Sequence, residues 1–147
     1  PYLAMPSRKD HELVLGCLAD VGMAGFADRR ITSLSGGELQ LVRIARALAQ
    51  EARYLILDEP TDMLDPAHAV AVAKAIRRLV ASGGGVLLST HDIAFALAVS
   101  DRVALLRMGR IQSLGPAKDT VTPASLAALF EVPFTLASLP TPVFKLP

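Results

Sequence analysis

The sequence predicts an α/β fold, a mostly parallel sheet flanked by helices, and three observations predict it. Short apolar runs at Arg53–Leu57, Val86–Ser89 and Val103–Leu106 have the length and continuity of strands covered on both faces. The segments between them carry apolar residues at helical spacing. The connections are short, and strand–helix–strand–helix–strand in that form gives parallel strands with right-handed crossovers.

Each element has its own local reason. Residues 1–8 hold two prolines and are expected to be irregular. From Asp10 to about Val21, Leu13, Val14, Cys17, Leu18 and Val21 recur at helical spacing, and Gly22 and Gly25 mark the exit. Asp28–Thr32 is a loop carrying Arg29 and Arg30. Ser35 opens a second helix. With Glu38 three residues on it forms a capping box, the hydroxyl accepting from the Glu38 amide and the carboxylate reaching back. Leu41, Ile44, Ala45 and Leu48 supply its buried stripe. Asp65-Pro66 starts a third helix, with proline tolerated in the first turn, and Ala69, Val72, Ala73, Ile76, Leu79 and Val80 form its stripe up to the break at Gly83–Gly85. Ile93–Val99 is a short apolar helix. Met108-Gly109 turns Val103–Leu106 into Arg110–Ser113 as a hairpin. Thr122-Pro123 begins a last helix over Ala124–Phe130, and a tail from Val132 with four prolines is expected to be extended.

Composition narrows the function. The 147 residues suffice for one domain with a core, and 52% hydrophobic against 20% charged residues excludes general disorder. A net charge of +1 offers no global field for nucleic acid. The longest apolar run, Ile93–Val99, falls far short of the roughly 20 residues a spanning helix needs. Cys17, the single cysteine, has no partner for an internal disulfide and reads as a small core residue. His11 and His68 read as surface residues without partners. The chain opens on Pro1 rather than Met and is expected to be part of a longer protein.

The chemistry concentrates at four places. Asp58 and Glu59 end an apolar strand, and in open α/β sheets the carboxyl ends of strands face the ligand crevice. A carboxylate there can hold Mg²⁺ directly or through water, and its neighbour, aimed differently by strand alternation, can polarise an attacking water. Gly36 and Gly37 at a helix start let backbone amides approach an anion, with the helix dipole adding attraction. His91 follows a second buried strand and could donate to a terminal phosphate oxygen. Asp65 has the position of a helix N-cap.

Taken in order, these residues resemble the nucleotide-binding domain of ABC transporters over roughly Leu13 to Leu114. Leu34–Glu38 is similar to its signature motif, Leu55–Glu59 to its Walker B strand, Thr61–Asp65 to its D-loop and His91 to its switch histidine. The resemblance implies an incomplete P-loop NTPase-type three-layer sandwich with part of the ABC helical subdomain. It implies that Asp58 coordinates Mg²⁺ through water, that Glu59 is the general base and that His91 senses the γ-phosphate. Ser35, Gly36, Gly37 and Glu38 would act in trans on ATP held by a second ATP-binding subunit, and Asp65 would relay between two nucleotide sites. The implied cofactor is Mg²⁺ with ATP in the full-length protein. The implied partners are that second subunit, in a homodimer, and transmembrane permease subunits, with no nucleic acid. The implied location is the cytoplasmic side of the inner membrane, as a peripheral subunit. Family members often carry Gln where Glu38 stands and Arg where Leu41 stands. The variant here, with the Pro1-Tyr2-Leu3 opening and Gly115-Pro116, is similar to importers of iron–siderophore, haem or cobalamin type. Arg29, Arg30 and the Asp10–Val21 helix would belong to the helical subdomain that meets the membrane subunit.

By the same resemblance, residues 1–50 are the remainder of the helical subdomain with the signature, 51–120 the catalytic α/β core fragment, and 121–147 a C-terminal helix and proline-rich tail. A P-loop needs G-x-x-x-x-G-K-[ST], and no Gly-Lys pair occurs in these residues: Lys9, Lys74, Lys118 and Lys145 follow Arg, Ala, Ala and Phe. The chain alone is therefore expected neither to bind ATP tightly nor to hydrolyse it. A sheet stripped of strands would expose apolar surface and an unpaired edge, so self-association is expected. Two other readings are open at this stage. A soluble ABC-type ATPase acting on nucleic acid or ribosomes would carry coiled-coil arms or basic stretches, and neither is in the sequence. A truncated, non-catalytic interaction module would also lack the P-loop.

Overall fold

A computed structural model of the chain describes residues 5–135. They fall into two compact units divided between His91 and Asp92.

The first unit is built on α1 (Arg8–Asp20), α2 (Gly36–Leu48), β1 (Tyr54–Asp58), α3 (Pro66–Ala81) and β2 (Gly85–Ser89). The Ser7 hydroxyl and the Asp10 carboxylate close a capping box at the start of α1, two residues earlier than its apolar pattern begins. Each helix buries part of the stripe its spacing announces: Cys17 and Leu18 on α1, where Val14 is exposed and Leu13 half-buried; Leu41, Ile44 and Ala45 on α2, with Leu48 half-buried; and Ala69, Val72, Ala73 and Ile76 on α3, joined by Ala75, with Leu79 and Val80 half-buried. The three helices pack on one another, and α3 also lies on β2. Val21, Met23, Leu41 and Val72 are essentially without exposure and mark the centre of this core. Two 3₁₀ turns, Ala24–Phe26 and Ile31–Ser33, shape the connection from α1 to α2.

β1 and β2 pair in parallel, with Leu55 opposite Val86, Leu57 opposite Leu88, and Asp58 opposite Ser89. Gly84, just before β2, admits the Arg53 carbonyl and the Leu79 side chain to within 2.8 Å of where a Cβ would stand. The glycine therefore lets β2 approach the start of β1 at the end of α3.

The second unit holds α4 (Ile93–Val99), β3 (Arg102–Arg107), β4 (Arg110–Pro116), α5 (Ala117–Thr120) and α6 (Pro123–Phe130). Phe95, Val99, Leu105 and Ala117 are its buried apolar residues. Thr122 and Ser125 form the capping box that starts α6. Arg107 donates to the Ala128 carbonyl at 3.0 Å, tying β3 to α6.

Two expectations change. The strand at Val103–Leu106 does not join β1 and β2; it pairs antiparallel with β4 in a sheet of its own. The reason is local: Met108 and Gly109 both have left-handed φ, 47° and 71°, the hairpin geometry whose twist matches its strands, so β3 takes its neighbour in sequence as its partner. The expectation that both faces of β1 are covered also fails. Leu55 is buried, but Tyr54, Ile56 and Leu87 are 68%, 81% and 68% exposed on the other face. Helices cover one side of this sheet among the described residues, so alternate residues of an unbroken apolar run meet solvent. The proline-rich tail expected to be extended lies outside the described residues from 136 on, and Val132–Thr135 form no helix or strand.

This asymmetry predicts unequal costs for two isoleucines. Ile76→Ala, which empties a site 3% exposed, should cost about 2–5 kcal/mol in urea unfolding. Ile56→Ala should stay within about 0.5 kcal/mol. Equal losses would mean that the Tyr54–Ile56–Leu87 face is covered in solution.

Candidate functional site

The signature-like turn is held by its own box. Ser35 Oγ accepts from the Glu38 amide at 3.2 Å, and the Ser35 amide donates to Glu38 Oε2 at 2.7 Å. The amide bond from Ser35, then its hydroxyl, holds the Glu38 carboxyl below the usual glutamate range. Buried Leu41, Ile44 and Ala45 anchor the helix behind the turn, leaving Ser35 and Gly36 exposed at its N-terminus.

The two glycines have a second reason to be glycine. A Cβ on Gly37 would stand 2.8 Å from the Met63 carbonyl oxygen, and one on Gly36 would stand 3.0 Å from Met63 Sδ. The Thr61–Asp65 segment thus lies directly against the signature-like turn, with Met63 itself in the left-handed region at φ 61°. That segment ends in Asp65, which caps α3: Oδ1 accepts from the His68 amide at 3.0 Å and Oδ2 meets His68 Nδ1 at 2.7 Å. These bonds, backbone first, hold the Asp65 carboxyl below the usual aspartate range. The reading of His68 as a residue without a partner is corrected here; the cap geometry of Asp65 places the ring three residues on within its reach. His11 is exposed, as expected. Cys17 is buried, and burial pushes its thiol up, which fits a core residue rather than a nucleophile. Arg29 stacks on the Phe26 ring, 4.5 Å from its centroid.

Asp58, Glu59 and His91 meet at the carboxyl ends of the parallel pair. Asp58 closes β1 and Ser89 closes β2 directly opposite. Ser89 Oγ donates to Asp58 Oδ1. The Glu59 amide donates to both Ser89 Oγ, at 3.1 Å, and the Ser89 carbonyl, at 3.2 Å. Glu59 has φ 43°, a region non-glycine residues seldom occupy. Gln40, on α2, donates to the Glu59 carbonyl at 3.3 Å, and the following Pro60 is fully buried. So fixed, the Glu59 carboxylate reaches His91: Oε2 lies 3.0 Å from Nδ1 and 3.3 Å from the His91 amide. With the carboxylate ionised, Nδ1 carries the proton and donates it. The His91 ring is 76% exposed and the Glu59 side chain 38%, so both are accessible to a ligand.

The structure thus brings Asp58, Glu59 and His91 together, and sets Ser35–Glu38 beside Asp65's loop. Gln40 links α2 to the acid pair through the Glu59 carbonyl. Among the described residues no group of three or more His, Cys, Asp or Glu is arranged to hold a metal ion unaided. One carboxylate is nevertheless the protein donor set that fits Mg²⁺ carried on a nucleotide, because that ion takes one or two carboxylates together with substrate phosphates and keeps several waters. Ser89 and Gln40 had no place in the sequence reading. The signal for Ser89 was available, since a polar residue ending the strand parallel to an acid-ended one must stand beside that acid.

Solved structures of ABC transporters and their ATP-binding cassettes share this architecture. One is a transporter provisionally described as of metal-chelate type, in an inward-facing conformation; it matches 90% of this chain and 53% of its own at 31% identity and a TM-score of 0.77. Another is a dimeric ATP-binding cassette in a post-hydrolysis state bound to ADP and Pi, matching 78% of this chain and 50% of its own at 29% identity and a TM-score of 0.70. The ABC transporter family model matches residues 7–62. The hemin import ATP-binding protein HmuV of Streptomyces coelicolor is 42% identical over 125 residues, 85% of this chain and 45% of the relative. HmuV of Agrobacterium fabrum is 37% identical over 146 residues, 94% of this chain and 56% of the relative. The molybdenum import ATP-binding protein ModC of Mycobacterium tuberculosis is 45% identical over 106 residues, 71% of this chain and 29% of the relative. This chain belongs to the ABC transporter ATP-binding domain family, and it spans about half the length of the hemin-import relatives it matches.

The Met63 contact predicts the sign of a substitution. Elsewhere in a helix Gly→Ala gains up to about 1 kcal/mol of propensity. Gly37→Ala should instead lower the unfolding midpoint, because its Cβ meets a backbone oxygen rather than a yielding side-chain end. Gly25→Ala, with nothing within 4 Å, should stay within about 0.5 kcal/mol. A Gly37→Ala variant as stable as the parent would show that Met63 does not sit against that turn.

Proposed function

We propose that this chain is the signature and Walker B half of the ATP-binding subunit of an ABC importer, coupling ATP binding and hydrolysis to solute uptake. The supporting observation is the Glu59–His91 contact beside Asp58 at the carboxyl ends of β1 and β2.

In this reading Asp58 would hold Mg²⁺ through a water. The ion supplies neutralisation of phosphate charge. Glu59 accepts a proton from the attacking water as its oxygen bonds to the γ-phosphorus and the bond to the ADP oxygen breaks. His91 holds Glu59 by its Nδ1 proton and presents the rest of its ring to the γ-phosphate. Ser35, Gly36, Gly37 and Glu38 contact ATP bound by a second such subunit, with the amides of the helix start facing the anion. Asp65, already spent on capping α3, relays between the two nucleotide sites through the position of its loop.

The partners are that second subunit and transmembrane permease subunits, with no nucleic acid, and the place is the cytoplasmic face of the inner membrane. No helix among the described residues is long and apolar enough to cross a membrane, which accords with a peripheral subunit. The HmuV relatives favour haem or a related iron complex as cargo, in the iron–siderophore, haem and cobalamin group; the ModC relative carries a molybdenum name.

In the complete subunit assembled with its permease, Glu59→Gln should lower kcat for ATP by about 10²–10⁴-fold. The 147-residue chain alone, without a P-loop, should show no Glu59-dependent hydrolysis. Turnover by the pure chain that Glu59→Gln removes would overturn the need for the missing half.

A further inference from the structure

We propose that Ser89 is a positioning residue that sets the two neighbouring acids to their different tasks; the proposal rests on the ATPase reading above. A serine hydroxyl has one proton to give and two lone pairs to accept with. Here the proton goes to Asp58 Oδ1 and a lone pair takes the Glu59 amide at 3.1 Å. One side chain therefore touches both acids, one at its carboxylate and the other at its backbone.

The consequences for the two differ. For Asp58, the hydroxyl occupies Oδ1 and restrains the carboxylate, so that Oδ2 would be the oxygen offered to Mg²⁺ or its water. For Glu59, the hydroxyl and the Ser89 carbonyl together hold the amide, and the backbone stays at φ 43°. At that backbone turn the Glu59 carboxylate reaches His91. The parallel register supplies the geometry: residue 89 stands opposite Asp58, and residue 91, two positions on, reaches Glu59. Ser89 thus separates a metal-side acid from a water-side acid.

The test uses the complete subunit. Binding of Mn²⁺ with a non-hydrolysable ATP analogue is followed by electron paramagnetic resonance, and kcat and the half-saturating Mg²⁺ concentration are measured in parallel. Ser89→Ala and Ser89→Val should weaken Mn²⁺ binding or slow turnover by about 10–100-fold, the usual cost of removing a partner that orients a metal-facing carboxylate. Ser89→Thr keeps the hydroxyl at the same size as Val and should recover most of the loss, which separates the hydroxyl from packing and folding. Wild-type Mn²⁺ affinity and rate in Ser89→Val, or a Ser89→Thr variant as impaired as Ser89→Val, would overturn the proposal. Glu59→Gln is the control on the underlying reading. If it hydrolyses ATP at the parental rate, the assignment of the base is lost, while Mn²⁺ binding by Ser89→Val and Ser89→Thr still decides whether Ser89 orients Asp58.

Discussion

The parallel register of β1 and β2 is the constraint on which the rest of the site depends. Pairing Leu55 with Val86 and Leu57 with Leu88 necessarily pairs Asp58 with Ser89. A slip by one residue would turn every side chain of one strand to the opposite face. The buried side of the sheet, which holds Leu55 on β1 and where α3 lies on β2, specifies the register. Gly84 lets the second strand approach closely enough to start in phase. The chemistry at the strand ends is in this sense a product of packing at the opposite end of the sheet.

Beyond the strands, polar groups carry the order forward. The chain leaves β1 into a left-handed residue, a conformation costing of order 1–3 kcal/mol at a non-glycine position. The cost is offset by groups that converge on Glu59: two acceptors on its amide, the Gln40 amide on its carbonyl and His91 on its carboxylate. These partners come from β2, α2 and the turn after β2. A residue held from three elements cannot move without disturbing all of them, and that is the condition a proton acceptor needs if it is to meet a water in one geometry.

Much of this was legible in the residues. Asp58 and Glu59 end an apolar run, His91 ends another, and Ser35 with Glu38 announces a cap; each is a local signal and each lands where the local rule places it. Ile93–Val99 is a helix with the bounds its apolar run has in sequence. What was not legible depends on partners distant along the chain. Met108-Gly109 announced the hairpin of Val103–Leu106 with Arg110–Ser113, and that pairing forms; what the residues did not show is that the hairpin stands as a sheet of its own rather than beside β1 and β2. An unbroken apolar run reads as a strand covered on both sides, yet Tyr54 and Ile56 meet solvent because coverage belongs to other elements. Ser89 looked like the polar end of a strand until the register set it against Asp58. Met63 gave no hint that its carbonyl would lie over a glycine.

That last contact sets the start of α2 against the loop that feeds α3, main chain to main chain at Gly37 and through the Met63 sulfur at Gly36. Glycine at residue 37 and a main-chain oxygen at residue 63 meet backbone to backbone, and main chain does not yield by changing rotamer. A side chain at residue 37 would push the start of α2 and the loop feeding α3 apart. A load on the exposed Ser35–Gly36 turn therefore falls first on the loop that ends at Asp65, the cap of α3.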